Sequence, residues 1–265
     1  MKGSSSNKRR CGIMTVLSSR GSMSVADLAN QFSVSEMTVR RDLHELEEAG
    51  RVIRTPGGAA IRRAITFERD YTERLQKMAE AKEMIGREAA LLVKAGESIV
   101  MDSGTTTHCM ARHLRGRNDV VVITYSLSIL DDLQSAHVEL TGGVYRPRSL
   151  DLVGSGVRES LAKICANKVF FGAAAISFER GVTVNDPEAQ RVLLKAGMER
   201  ILVLDSSKVE TEALYHFCNI SDCDLIITDS GIRPESLRRL QRITKVLVAD
   251  EKGPATPDSD VHEAS

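Results

Sequence analysis

No apolar stretch in this 265-residue chain approaches the ~20 residues that a membrane-spanning helix needs. Its start is polar and basic, without the apolar run of a signal peptide. Cysteine is scarce and unpatterned: the five sit at 11, 109, 165, 218 and 223, none in Cys-x-x-Cys spacing, and no histidine stands at finger spacing. An odd count in a chain large enough for its own core reads as reduced, cytosolic thiols. Cys218 and Cys223 with His216 come nearest to a metal cluster, and read instead as partly buried apolar residues. Tryptophan is absent, although the hydrophobic content of 42% is ordinary. Neither nucleotide fingerprint is present: no loop ends in Gly-Lys-Ser/Thr, and there is no Gly-x-Gly-x-x-Gly. No histidine, cysteine and glutamate constellation supplies a catalytic unit, and no internal repeat is visible. The expectation is a cytoplasmic protein with no membrane partner, no metal, no cofactor and no catalytic residues.

Net charge is also lacking, at +0, but the balance is uneven. Residues 1–63 hold eleven Lys/Arg against six Asp/Glu, a net of +5, whereas 251–265 hold one Lys against four acids, a net of −3. A basic small domain on a near-neutral body points to a polyanion partner for the first domain only.

What is there begins with Ser22 to Gly58. Ser24 is placed to cap a helix whose apolar face is Val25, Leu28, Ala29 and Phe32. Ser33-Val34-Ser35 is too short for anything but a turn, and Ser35 caps a second helix. That helix carries Val39, Leu43 and Leu46 at i, i+4, i+7, one inward stripe. Ser35, Glu36, Thr38, Arg40, Arg41 and His44 take its other faces, and Gly50 ends it as a left-handed residue would. Val52-Ile53-Arg54 reads as a strand, Pro56-Gly57-Gly58 as a turn and Ala59-Ala60-Ile61 as the returning strand. Hydroxyls followed by adjacent arginines suit the major groove, with base edges met by the first turns and phosphates or guanine by the arginines. The same helix pair used only for protein contacts is the plainer alternative. An earlier helix is expected over Lys8–Arg20, with Ile13, Val16 and Leu17 inward; residues 1–7 read as unordered. Lys8, Arg9 and Arg10 lie near phosphate or are simply solvated.

At Val34-Ser35, Thr38-Val39-Arg40-Arg41-Asp42-Leu43, Leu46-Glu47, Gly50, Arg54 and Gly57-Gly58-Ala59 the chain resembles the DeoR family of bacterial transcriptional regulators. The resemblance implies a winged helix-turn-helix, placed here at 8–61, with Ser35, Glu36, Thr38, Arg40, Arg41 and Arg54 meeting operator DNA.

Residues 62–76 read as a linker in which Arg62, Arg63, Arg69 and Arg74 alternate with Phe67, Tyr71 and Leu75. It is either a relay between two domains or a packed connection. From Lys77 helices and apolar strands alternate: a helix over 77–94, then strands over 97–101, 120–124, 138–141, 168–175, 201–204, 224–228 and 245–249. That alternation means an α/β domain, 77–250, with a mostly parallel sheet. The Pro-, Asp- and Ser-rich 251–265 reads as a disordered tail.

In open α/β sheets ligands sit beyond the carboxyl ends of the strands. Those ends carry Asp102-Ser103-Gly104-Thr105-Thr106-Thr107, Thr124-Tyr125-Ser126, Thr141-Gly142-Gly143 with Arg146, Asp205-Ser206-Ser207-Lys208, and Thr228-Asp229-Ser230. The first and second are expected to open helices. Gly104 lets backbone approach an anion, and helix N–H groups with the hydroxyls of Thr105, Thr106 and Thr107 complete a binding loop. Lys208 and Arg146 extend it into a phosphate cradle. Asp102, Asp205 and Asp229 accept hydrogen bonds only, which suits sugar hydroxyls. Plainer roles stay open: Asp102 and Asp229 as helix caps, Gly142-Gly143 as a tight turn, Arg146 as a solvated cation.

The DeoR resemblance extends here through Asp102-Ser103-Gly104-Thr105-Thr106, Gly142-Gly143, Asp205-Ser206-Ser207-Lys208, Thr228-Asp229 and Glu188-Ala189, and covers roughly residues 8–250. It implies a sensor domain on a fold akin to ribose-5-phosphate isomerase, holding a phosphorylated sugar or related metabolite. The implied effector residues are Asp102, Ser103, Gly104, Thr105, Thr106, Ser126, Gly142, Gly143, Arg146, Glu188, Asp205, Lys208 and Asp229. Tyr125 stands where many members have Asn, and Ala174-Ala175 where a polar residue and Gly are usual. The expected function is repression of a carbohydrate or polyol operon by a dimer or tetramer, relieved by the effector. The competing expectation is a sugar-phosphate isomerase-like enzyme with an appended DNA-binding domain, Lys208 and Asp102 or Asp205 acting as its base pair.

Overall fold

The computed structural model describes residues 3–20, 22–48, 52–55, 57–61, 71–186 and 190–250. They divide into two compact units, Met1–Phe67 and Glu68–Ser265.

The first unit contains α1 (Gly3–Arg20), β1 (Ser22–Ser24), α2 (Val25–Phe32), α3 (Glu36–Glu48), β2 (Val52–Thr55) and β3 (Gly58–Ile61). Ser24 Oγ accepts the Asp27 N–H at 3.0 Å and caps α2. Ser33, at φ 51°, closes α2 in the left-handed conformation, and Ser35 Oγ accepts the Thr38 N–H at 3.3 Å. Ile13 and Leu17 of α1 join Val25, Leu28, Val39, Leu43, Leu46 and Val52 in one core.

Three expectations change here. α1 starts at Gly3 rather than Lys8, because its first turns carry no apolar residue to mark them yet no proline to stop them. Arg9 forks onto the buried Asp42 carboxylate (2.5 and 3.2 Å) and Arg10 pairs with Glu45, so both are committed within the unit. The wing has a third strand: β1 lies antiparallel to β3, giving the order β1-β3-β2. Gly58 permits that approach, since a Cβ there would collide with the Met23 carbonyl oxygen. Gly50 lies outside the described residues, as do residues 62–70 of the linker.

The second unit opens with α4 (Tyr71–Gln76) and α5 (Ala79–Leu91). Then follow β4 (Ser98–Met101), α6 (Thr105–His113), β5 (Val121–Thr124), β6 (His137–Leu140), β7 (Val144–Arg146), β8 (Asp151–Val153) and α7 (Ser155–Leu161). The chain continues through β9 (Ala166–Phe171), β10 (Ala175–Ser177), β11 (Gly181–Val184), α8 (Gln190–Leu193), β12 (Gly197–Val203) and β13 (Tyr215–Cys218). It ends with β14 (Leu225–Asp229), α9 (Pro234–Gln241) and β15 (Lys245–Ala249).

Seven strands form one parallel sheet, β15-β14-β12-β9-β4-β5-β6. Alternate residues of each strand enter opposite cores. Ile99, Met101, Val122, Phe170, Ile201, Val203 and Ile227 pack with Ile85 and Met110 of α5 and α6. Val100, Ile123, Val169, Phe171, Leu202 and Ile226 pack with Val157 of α7 and Leu240 of α9. Burial on both faces explains why these strands read as continuous apolar runs.

Several boundaries differ from the sequence reading: the helix expected over 77–94 is α5, Ala79–Leu91, and the last residues of the expected linker form α4 in the second unit. The apolar run 168–175 is not one strand: β9 stops at Phe171, because the Gly172 N–H turns away to Asp102 Oδ2 (2.6 Å). Ser126 opens no α-helix. The chain instead runs beside Leu150–Leu152, with the Leu127 N–H on the Leu150 carbonyl and the Leu152 N–H on the Tyr125 carbonyl (both 2.8 Å), and makes only a 3₁₀ turn at Leu130–Asp132.

Gly86 sets the approach of α5 to α6, where a Cβ would stand 2.6 Å from the Met110 nitrogen. Gly86→Ala gains helix propensity of about 1 kcal/mol. Overpacking against backbone that cannot yield costs about 1–3 kcal/mol. We expect net destabilisation, read as a lower urea midpoint at unchanged slope.

Candidate functional site

In the first unit α3 presents its functional face by the same periodicity that buries Val39, Leu43 and Leu46. Outward stand Ser35, Glu36, Met37, Arg40, Arg41 and His44, all exposed. Thr38 is half-buried, and its hydroxyl meets Ser35 Oγ at 2.9 Å. Arg40 reaches back to Glu36 at 3.2 Å, and Arg41 holds Glu45 at 3.7 Å. Arg54 of β2 donates to the Arg40 carbonyl at 3.4 Å, so the wing arginine stands beside the helix. The sequence reading passed over Met37, whose exposed thioether carries no charge to draw attention.

In the second unit the strand tips converge. Asp102 is buried and held by its own loop and by the residue after β9. Its Oδ1 accepts from the Gly104 N–H (2.8 Å) and Thr107 Oγ1 (2.6 Å), and its Oδ2 from the Gly172 N–H (2.6 Å). Burial raises its pKa, and those three hydrogen bonds oppose the rise. Asp229 makes a similar set of hydrogen bonds: Oδ1 accepts the Ser206 N–H (2.6 Å), Oδ2 the Ser206 hydroxyl (2.8 Å) and the Gly231 N–H (3.0 Å). Both carboxylates shape strand-tip loops, leaving the N–H groups of the first turn of α6, next to Thr105 and Thr106, without intrahelical acceptors.

Ser103 donates to Asp151 Oδ2 at 2.8 Å. Arg146 forks onto the same buried carboxylate at 2.8 and 3.0 Å and also pairs with Asp186. Asp151 therefore joins the anion loop to Arg146, a link hidden from sequence by the intervening chain. Ser126 is buried beside Ser128, hydroxyl to hydroxyl 2.9 Å. Gly143, at φ 146°, leaves no room for a Cβ, which would stand 2.8 Å from the Val153 carbonyl oxygen. Glu188 lies outside the described residues. Tyr125 is buried in the core, its hydroxyl against the Ser103 backbone; burial, then Asp102 and Asp151, hold its pKa well above normal. Ala175 is likewise interior. The hydroxyls of Thr141 and Thr228, at the ends of β6 and β14, are buried without a hydrogen-bond partner.

Around Asp205-Ser206-Ser207-Lys208 the structure gathers cations that sequence reasoning missed. Lys208 Nζ donates to the Ala173 carbonyl at 2.8 Å and lies 4.0 Å from Asp205. Lys77 donates to Ser207 Oγ at 3.3 Å, and Lys82 donates to the Arg74 carbonyl. Burial lowers the Lys208 pKa, Asp205 opposes the fall, and the positive charges of Arg74 and Lys77 add to it. Burial and Lys208 push Lys82 from 10.5 down to about 8. Tyr71 ties α4 to α6: its hydroxyl bonds His108 Nδ1, whose other ring nitrogen meets Asp132 Oδ2 at 3.1 Å. Arg74 lies over the Tyr71 ring, 5.6 Å from its centre. Four basic groups thus surround the single carboxylate Asp205, an excess of positive charge suited to a multiply charged anion. Among the described residues no three His, Cys, Asp or Glu side chains are grouped to hold a metal ion, and no helix is long and apolar enough to cross a membrane.

Residues 9–64 match the family described as DeoR-like helix-turn-helix domain, and residues 77–230 that described as DeoR C terminal sensor domain. The HTH-type transcriptional repressor GlcR of Bacillus subtilis is 32% identical over 84% of this chain and 88% of its own length. The Lactose phosphotransferase system repressor of Lactococcus lactis is 32% identical over 90% of this chain and 96% of its own. Among solved structures, the sorbitol operon regulator SorC of Klebsiella pneumoniae has a TM-score of 0.39 at 12% identity, covering 88% of this chain and 98% of that one. Ribose 5-phosphate isomerase A of Methanocaldococcus jannaschii has a TM-score of 0.37 at 17% identity, covering 49% of this chain and 54% of that one.

Proposed function

We propose, for a chain that belongs to the DeoR family of transcriptional regulators, that it represses a carbohydrate or polyol catabolic operon and leaves its operator when a phosphorylated sugar-like effector binds. Residues 8–61 meet DNA through Ser35, Glu36, Thr38, Arg40, Arg41 and Arg54, residues 62–70 connect, and residues 71–250, with Arg74 of α4 among them, sense. The protein acts in the cytoplasm as a dimer or tetramer, because one recognition helix reads only a few base pairs and paired half-sites ~34 Å apart need two copies. Relatives named for repression, one of them of a lactose phosphotransferase system, support the sign and the sugar class.

The observation that carries the effector reading is the meeting of Arg74, Lys77, Lys82 and Lys208 at the tip of β12. A phosphate dianion there offsets the cost of crowding like charges, and the buried hydroxyls of Thr105 and Thr106 at the start of α6 are left for a sugar. The effector is bound, not turned over: Lys208 is held on a backbone carbonyl, and both relatives are repressors. Since an effector shifts an equilibrium only by its differential affinity, it binds the DNA-free state more tightly.

The test selects an operator from random duplexes with the full chain, then titrates sugars and polyols with and without phosphate. At least one phosphorylated compound is expected to weaken operator binding tenfold or more, its dephosphorylated form not at all. A chain that enriches no sequence would end the DNA reading; a selected operator unmoved by every phosphorylated compound would end the effector reading.

A further inference from the structure

We propose that Met37 reads the 5-methyl group of a thymine in the major groove, so that each operator half-site carries a T·A pair facing the first turn of α3. This rests on the DNA-binding reading above. Met37 is 76% exposed, the most exposed large apolar side chain among the described residues. It is the second residue of α3 and heads the outward stripe Met37, Arg40, Arg41, His44, spaced i, i+3, i+4, i+7.

Its neighbours leave it standing alone. Arg40 is drawn to Glu36 and Arg41 to Glu45, each along its own i, i+4 row. Ser35 and Thr38 hydroxyls hold one another at 2.9 Å. Polar groups on this face have polar or phosphate partners to meet in the groove, whereas a thioether offers no donor and only a weak acceptor. The one apolar group on a major-groove base edge is the thymine methyl. The first turns of a recognition helix point at base edges, and an unbranched Met side chain with three rotatable bonds settles onto that methyl without displacing its neighbours.

Uracil tests the contact alone, since it differs from thymine only by the methyl. In the selected operator each thymine is replaced singly by deoxyuridine, and full-length wild type, Met37→Ala and Met37→Gln are titrated. Burying one methyl predicts that uracil at one position per half-site weakens wild type about three- to fivefold. Met37→Ala and Met37→Gln should bind the two operators equally. Uracil tolerated at every position, or a ratio unchanged in Met37→Ala, overturns the assignment. So does a change of oligomeric state in Met37→Ala with uracil discrimination intact, which would make Met37 a protein contact. Failure here leaves the DNA reading standing wherever the selected operator is still bound by wild type and lost by Arg41→Ala.

Discussion

Lys82→Met is expected to leave operator affinity unchanged and to remove the response to the phosphorylated effector. Lys82 is 2% exposed, on the second helical turn of α5, with its ammonium group on the Arg74 carbonyl. A charge-assisted bond to a phosphate contributes about 1.5–3 kcal/mol, so effector affinity should fall roughly ten- to hundredfold. Methionine keeps the stem and its packing, which separates lost charge from lost volume. The pH dependence gives a second reading. In the fold the Lys82 pKa is about 8 against an ordinary 10.5, so between these values the unfolded chain holds a proton that the folded chain has released. Stability of the effector-free protein therefore rises with pH through that window, as the buried charge disappears. Effector affinity moves oppositely, because a dianion favours charged Lys82: it weakens above about pH 8, and binding there takes up a proton. Calorimetry in two buffers of different ionisation heat, at pH 8, should show proton uptake in wild type and a smaller uptake in Lys82→Met. Equal affinities and equal uptake in both proteins would remove Lys82 from the site.

Local devices in this chain were legible because their physics is local. Ser24 and Ser35 cap within three residues, and the Val39, Leu43, Leu46 stripe needs only helical period, so α2, α3 and their turn are read directly. The parallel sheet announces itself because its central strands, buried on both faces, hold continuous apolar runs such as Ile99-Val100-Met101 and Ile201-Leu202-Val203. The strand β1 was illegible: three residues hold no alternation, and only Gly58, pressed on Met23, betrays it. The basic cluster escaped for a related reason. Met78, left-handed at φ 54°, breaks the helical period between α4 and α5, so Arg74, Lys77 and Lys82 do not read as one face. Lys208 then arrives from a strand tip over a hundred residues later. The carboxylates were recognised as a class, but which oxygens were already committed to Gly104, Gly172 or Ser206 depends on how the loops fold.

Arg41→Ala is expected to weaken operator binding about ten- to hundredfold at unchanged effector affinity, the span of a good bidentate guanine contact. The side chain is 83% exposed and its pair with Glu45 is long, 3.7 Å, a kind of exposed pair worth about 0–1 kcal/mol. Moving Arg41 from Glu45 to DNA therefore costs little, whereas Arg40 is bound to Glu36 at 3.2 Å and has its carbonyl tied to Arg54. Folding should not change, since nothing in the core of α3 touches the deleted guanidinium. Salt titration separates two roles for it. A phosphate contact releases a counterion, so the slope of log affinity against log salt falls by about 1 for each bound copy and all sequences weaken alike. A guanine contact leaves the slope nearly unchanged and relaxes selection at one position of the half-site. Either outcome keeps α3 in the groove. Operator binding by Arg41→Ala with wild-type affinity, slope and selectivity would take the outward stripe of α3 off the DNA, and the uracil contact assigned to Met37 with it.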